Sequence, residues 1–429
     1  VNVARRIVEH PQHGYQPIGR AICAANQAAG CTYVMNVQAD ASGVFGYFGA
    51  VLQRVKNAFN AVNHRAILKL LEGYGFRPID VALFSHMYQG RFLSVGNSFG
   101  ETAACFLRRG VFQGDSPSPD IFNLSFDPTH KMVRASRRGC PAEGMSSPTG
   151  SSGFADDTCL HTGGSDSVPA MRVLIETIGP FLTWLGMSLN MKKFIISAID
   201  FSTGMPLPTD SITFDGIPFR VVLPTEAHKH LGVRITLTGD SRPEKAHVRS
   251  EMLCRLRALR NDSVLSPSLK ELAIAVGVTS VFRYSAGVVP WTKSELDAIS
   301  RMWIRAFKQA WYEAAWRGLD SSPFVLPSRD GGRQCPSANE IYMLEIDATL
   351  NQCMALPGEI AQFVLYHIKQ ECHTHGCVAL NQMQKLLHIS GNKAADSLLC
   401  QYLHRMNDQG MVVSSPWPQS VSAAIVETL

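Results

Sequence analysis

Two adjacent carboxylates, Asp156 and Asp157, follow Phe154 and Ala155 in a stretch that reads as a hairpin from Ser152 to His161. Neighbouring carboxylates repel, so the pair is costly unless a cation neutralises it. Magnesium suits the task, because it takes carboxylate oxygens and keeps positions for substrate phosphates. In nucleotidyl transfer two such ions bridge the attacking hydroxyl and the departing pyrophosphate. Asp-Asp is also an ordinary exposed turn, so the neighbouring segments decide between the readings.

Upstream lies Arg109-Gly110-Val111-Phe112-Gln113-Gly114-Asp115-Ser116-Pro117-Ser118-Pro119, followed by Phe122-Asn123. A glycine-bearing loop lets backbone approach a base or nucleotide, and the helix after it offers free N–H groups. Further upstream are Arg54-Val55-Lys56-Asn57-Ala58-Phe59-Asn60-Ala61-Val62-Asn63-His64 and Gln12 to Arg20. Downstream come Leu185-Gly186 through Asn190-Met191-Lys192-Lys193, then His230-Leu231-Gly232.

The elements that must position these segments alternate between strand and helix over the first 200 residues, an α+β or α/β pattern. A strand is expected from Tyr47 to Gln53. A helix from about Ala58, with Ala66, Ile67, Leu70 and Leu71 on one face, should end at Gly73. Helices are also predicted at Ile79–Tyr88, Pro119–Ala135 and Met171–Leu185, a hairpin around Asn97 to Gly100, and a strand at Phe194–Ile199. From Pro243 the pattern turns helical: Val248, Met252, Leu256 and Leu259 form one apolar stripe, and Leu296, Ile299, Trp303, Phe307 and Trp311 another. The helical spacing of these aromatics favours core packing over base stacking.

The chain has 429 residues, 45% apolar and 17% charged, which argues against global disorder. No run reaches the roughly 18 unbroken apolar residues of a membrane span; the nearest, Leu272 to Phe282, is diluted by Gly277 and Thr279. The 11 cysteines are odd in number and lack a Cys-x-x-Cys pair, a pattern suiting reduced thiols and a nuclear or cytoplasmic location rather than secretion. With Val1 first and no leader pattern, upstream sequence is expected. Net charge is +5, and the Lys229–Arg260 stretch alone holds eight Lys/Arg against three Asp/Glu. That stretch suits phosphate contacts as well as a plain solvated helix face.

Taken in order, these motifs resemble the palm and fingers of reverse transcriptases, specifically those of non-LTR (LINE-like) retrotransposons. The resemblance covers about residues 10 to 240 and extends weakly to about 320. It implies a right-hand polymerase fold with α+β fingers and palm over 1–240 and a helical thumb over 241–327; beyond it, the residue pattern predicts a linker at 328–339 and an α-helical C-terminal domain over 340–429. Within that last domain, Leu386 to Val413 has the pattern of a winged-helix fragment. The implied activity is RNA-directed DNA polymerisation on an RNA template and a DNA primer, with deoxynucleoside triphosphates and two Mg2+ or Mn2+ ions. By position, Asp156 and Asp157 would hold metal, Phe59 would pack against the sugar and exclude a 2′-hydroxyl, and Gln113 and Gly114 would meet nucleotide and template. Lys193 would donate a proton to pyrophosphate, His230, Leu231 and Gly232 would grip the primer, and Arg20 would hold triphosphate or template.

One departure matters most. The family places an aspartate four residues before the alanine of Ala-Phe, and here that position is Arg54. The third metal-binding carboxylate is replaced by a cation, and activity is expected to be impaired. Asp40, with Phe45 five residues on, echoes the spacing, but Ala58 to His64 aligns the motif on Arg54. Phe112 and Phe194 also stand where smaller or more polar residues are usual. Cys372-His373-Thr374-His375-Gly376-Cys377 is too crowded for a tetrahedral site with ordinary ligand spacing, and no endonuclease motif is evident.

Overall fold

The computed structural model describes residues 47–348, apart from 55–57, 89, 95, 99, 107, 112–116, 141–147, 149, 155–156, 188–193, 201–202, 215, 313–317, 343 and 346–347. Arg20, Asp40, the Cys372–Cys377 cluster and the winged-helix reading therefore lie outside the described residues. The described elements divide into two compact units, one ending at Glu226 and the other starting at Ala227.

In the first unit, strand β1 (Tyr47–Arg54) is followed by helices α1 (Ala58–Ala61), α2 (His64–Gly73) and α3 (Pro78–Tyr88). A ribbon comes next, in which β2 (Phe92–Leu93), β3 (Gly96–Asn97), β4 (Gly100–Glu101) and β5 (Cys105–Phe106) pair as β2 with β5 and β3 with β4. Helix α4 (Ser118–Ser136), strands β6 (Ser151–Phe154) and β7 (Asp157–Gly163), helix α5 (Ser167–Trp184) and strand β8 (Ile195–Asp200) complete the frame. Short strands β9 (Met205–Pro206), β10 (Thr213–Phe214), β11 (Ile217–Pro218) and β12 (Arg220–Val221) follow. The main sheet runs β12-β8-β1-β7-β6, with β9 added beside β8. Strand β1 is central, antiparallel to both β7 and β8.

Helices α4 and α5 pack on each other, α4 against β6 and α5 against β1 and β7. Phe122, Phe126, Leu160, Leu174, Ile178, Leu182, Phe194 and Ile196 are buried in the shared core. The helix expected from Ala58 is in fact two. Val62 is fully buried, and Asn63 leaves helical geometry to cap α2, its side chain accepting the Arg65 N–H at 2.9 Å. Local capping here outcompetes continuation of one long helix.

The second unit opens with β13 (His228–His230) paired to β14 (Val233–Ile235), then α6 (Arg242–Asn261) and α7 (Pro267–Ala273). One π-helical turn (Ile274–Val278) leads into α8 (Thr279–Ala286), followed by α9 (Lys293–Tyr312) and α10 (Ser322–Val325). Pro243 sits in the first turn of α6, where its missing N–H costs nothing. Val248 and Met252 from α6 meet Phe282, Trp291, Leu296, Ile299, Trp303 and Phe307, while Leu256, Leu259 and Trp311 pack partly buried at the edge. The aromatic stripe of α9 is core, as its spacing predicts.

By contact, the hairpin around Leu231 groups with the helices of the second unit. The stretch from Ser328 to Pro336, expected as a linker, is a tight turn: Gly331 takes a φ of +78°, and the amides of Arg333, Gln334 and Cys335 bond back to the carbonyls of Pro323, Leu326 and Phe324. Its glycines and charges read as a spacer, but Cys335, Ala338 and Tyr342 carry it into the same core as Trp303.

Candidate functional site

The hairpin β6–β7 closes with Phe154 paired to Asp157. On the other side of β7, Arg54 is the last residue of β1 and is the direct cross-strand partner of Asp157. The pairing runs in unbroken register from Phe48↔Gly163 to Arg54↔Asp157. Arg54 therefore occupies the central-strand position beside Asp157, where the resemblance places the third carboxylate. Cross-strand partners have Cβ atoms roughly 4.5–5.5 Å apart.

From the end of β1 the chain enters α1, which carries Phe59, and then a hub at Val62 to His64. The Val62 carbonyl accepts the Gly110 N–H at 2.7 Å. The His64 imidazole Nε2 donates to the Gly110 carbonyl at 2.7 Å and is buried. Asn63 bridges Arg109, and its amide donates to the Leu185 carbonyl at 2.8 Å. Gly110 has a φ of +92°, and a Cβ there would lie 2.7 Å from the Asn60 Cα. Gly186, at φ +78°, also approaches backbone, the Ala61 carbonyl oxygen lying 3.0 Å from a built Cβ. Both glycines are required by close backbone approach and left-handed geometry. The hub thus fixes the roots of two motif segments: the one leading to Gln113 and Gly114 and the one leading to Lys193. Tyr88 adds a further tie, its hydroxyl 3.2 Å from that of Ser118 at the start of α4.

Gln113, Gly114, Asp156 and Lys193 themselves lie outside the described residues, and for Arg54, Phe59 and Asp157 the backbone position is what is described. Among the described residues no group of three His, Cys, Asp or Glu is arranged to hold a metal ion. Phe194, at the position where a small residue is usual, is fully buried and stacks on Phe219 with ring centroids 5.4 Å apart. The thiols of Cys140 and Cys159 are pushed up to about 12 by burial, which makes them structural rather than reactive.

In the second unit, His230 is buried, and Leu231 and Gly232 form the turn between β13 and β14. Both are left-handed, Leu231 at φ 48° and Gly232 at φ 90°. For leucine that geometry costs on the order of 1–2 kcal/mol. Two contacts offset it. The Tyr284 hydroxyl on α8 donates to the Leu231 carbonyl, and the buried Glu244 carboxylate on α6 accepts the Arg234 N–H at 2.8 Å. Burial, and then the Glu244 charge, raise the Tyr284 phenol above its ordinary value, so it stays a donor at neutral pH. Sequence reasoning missed Tyr284 and Glu244, which lie outside every recognisable motif. Asn63 and His64 fall within the Ala58–His64 segment, but nothing local marks them as the hub.

The family model described as reverse transcriptase (RNA-dependent DNA polymerase) matches residues 51–235. The chain is 26% identical over 295 residues to the Retrovirus-related Pol polyprotein from type-2 retrotransposable element R2DM of Drosophila melanogaster, covering 64% of this chain and 26% of that protein. It is 28% identical over 200 residues to the corresponding polyprotein from type-1 retrotransposable element R2 of Popillia japonica, covering 46% and 32%. The matches thus span about a quarter to a third of the length of these relatives. Among solved structures, apo telomerase from Candida tropicalis aligns at TM-score 0.37 and 11% identity over 94% of this chain and 57% of that one. Telomerase from Candida albicans aligns at 0.36 and 12% over 83% and 53%. No helix among the described residues is long and apolar enough to cross a membrane. Residues 51–235 thus match a reverse transcriptase domain, and the chain is similar over part of its length to the polyproteins of R2 retrotransposable elements.

Proposed function

We propose that this domain grips an RNA template and a DNA primer but extends the primer poorly or not at all. The observation that carries the reading is the pairing of Arg54 with Asp157. Reverse transcriptases as a family use divalent metals, and Asp156 and Asp157 are the carboxylates that would hold them. The donor set does not fit two ions, because the position that would bridge them carries a guanidinium.

The magnitude decides the direction. At about 5 Å and an effective dielectric near 20, one unit-charge pair is worth roughly 3 kcal/mol. Replacing −1 by +1 beside a divalent ion changes four such pairs, an upper bound of about 13 kcal/mol per ion. Arg54 is long enough to swing its charge away, which lowers the penalty. A third of the bound still corresponds to roughly a thousandfold in rate.

The rest of the site is assigned by position. Phe59 packs against the nucleotide sugar, Gln113 and Gly114 meet nucleotide and template, Lys193 donates to pyrophosphate, and Arg20 holds triphosphate or template. His230, Leu231 and Gly232 hold the primer terminus. The cationic surface of α6, with Arg242, Arg249, Arg255, Arg257 and Arg260 exposed or partly so, supplies phosphate contacts whose strength falls with salt.

The test is a comparison of binding with incorporation. The chain should bind primer–template with a steep salt dependence and incorporate deoxynucleotide at no more than a thousandth of an active enzyme's rate with magnesium or manganese. Fast metal-dependent incorporation that Asp156→Ala abolishes would overturn the reading and require another carboxylate, such as Asp40, to complete the site.

A further inference from the structure

The turn at Leu231 and Gly232 is held from outside its own hairpin. Leu231 adopts a φ of 48° that L residues avoid, and Gly232 follows at φ 90°. A Cβ on Gly232 would lie 2.7 Å from the Tyr284 ring and 2.8 Å from its hydroxyl oxygen, so the glycine is where the phenol ring seats. The hydroxyl of the same ring donates to the Leu231 carbonyl. Two residues past the turn, on β14, Glu244 accepts the Arg234 N–H at 2.8 Å, and its carboxylate lies 3.8 Å from the Arg234 guanidinium. Glu244 is buried on α6 and Tyr284 is on α8, so one helix holds the turn and another the strand that leaves it.

We infer that Tyr284 is a positioning residue for the primer terminus, holding the Leu231–Gly232 turn through its ring and hydroxyl. The inference rests on the proposed role of His230 to Gly232 as the primer-holding turn. Hydrophobic packing does not require this arrangement. Tyr284 is 37% exposed and contributes little to the core, yet its hydroxyl is committed to a backbone carbonyl of a strained turn. A surface tyrosine kept only for packing would leave that hydroxyl to water. The left-handed turn aims its backbone groups in a direction that a relaxed turn would not keep. Losing the Tyr284 hydrogen bond should let Leu231 relax toward negative φ and change what the turn presents, without unfolding the unit.

The experiment measures dissociation constants of the full chain for two ligands, a primer–template with a recessed 3′ end and the single-stranded RNA template alone. Tyr284→Phe keeps the ring and removes the hydroxyl. The expected result is a loss of about fivefold to tenfold for the recessed 3′ end, no change for the single strand, and a thermal midpoint within about 2 °C of the unmodified chain. Gly232→Ala, which forces the ring out, should give the same split. Equal weakening of both ligands would reduce Tyr284 to a general structural role and overturn the inference, as would unchanged binding of both. If the unmodified chain itself shows no preference for the recessed end, the primer-holding role of the turn falls first and the inference falls with it.

Discussion

Arg54 is the cross-strand partner of Asp157, at the end of an antiparallel ladder that runs without interruption from Phe48↔Gly163. A one-residue slip would turn every side chain of β1 to the opposite face, and with β8 paired on its other edge the strand has no freedom to slip. Residue 54 is therefore fixed in the central strand directly across from Asp157. It follows that a single substitution at residue 54 changes the charge of the site without disturbing the frame.

The hub that roots the two motif segments depends on Gly110. Its φ of +92° and the 2.7 Å separation between a built Cβ and the Asn60 Cα leave no room for alanine. Gly110→Ala should destabilise the first unit by about 2–4 kcal/mol, combining backbone strain with displaced backbone. Urea unfolding followed by far-ultraviolet circular dichroism would show this as a lower midpoint. Gly73→Ala is the control, because nothing lies within 4 Å of its Cβ and its φ is not left-handed.

Phe194 fills space against Phe219 beneath the sheet. Its truncation to alanine should cost about 3–5 kcal/mol through lost transfer energy and an unfilled cavity. A matching rise in exposed hydrophobic surface, read with a solvatochromic dye, would accompany the loss. If Phe194→Ala unfolds at the same denaturant concentration as the unmodified chain, Phe194 does not fill core space against Phe219.

Glu295 ties α6 to α9 by accepting from Lys245 at 2.8 Å, Arg249 at 3.1 Å and the Thr292 amide at 2.9 Å. Partial burial pushes its carboxyl up, but the Lys245 ammonium and Thr292 outweigh this and hold it below the usual glutamate range. A carboxyl depressed in the folded state contributes its stabilisation fully above the unfolded value and loses it as pH falls through the folded one. The second unit should thus weaken as pH drops below about 4.3. Glu295→Gln should lower stability at pH 7 and flatten that acid limb, measurable as the thermal midpoint between pH 3 and 7.

Much of this arrangement was legible in the sequence, and the parts that were not have physical reasons. Apolar periodicity located α2, α4, α5, α6 and α9, because each buries one continuous face. The order of short motifs identified the domain, and counting back from Ala58 reached Arg54, whose place beside Asp157 the register then shows. What stayed hidden were long-range backbone contacts. Nothing in the local pattern around Gly110 says that it packs on Asn60, or that Asn63 breaks a helix to reach Leu185. Tyr284 lies more than 50 residues from Leu231 and outside any motif. Ser328 to Pro336 has the composition of a spacer, and only the burial of Cys335, Ala338 and Tyr342 makes it part of a core.

The most direct measurement is primer extension on an RNA template with magnesium, comparing the unmodified chain, Arg54→Asp and Arg54→Asp combined with Asp156→Ala. The account predicts that Arg54→Asp raises incorporation by roughly a thousandfold and that adding Asp156→Ala abolishes the gain, with template binding alike in all three. Robust extension by the unmodified chain, left unchanged or lowered by Arg54→Asp, would contradict it.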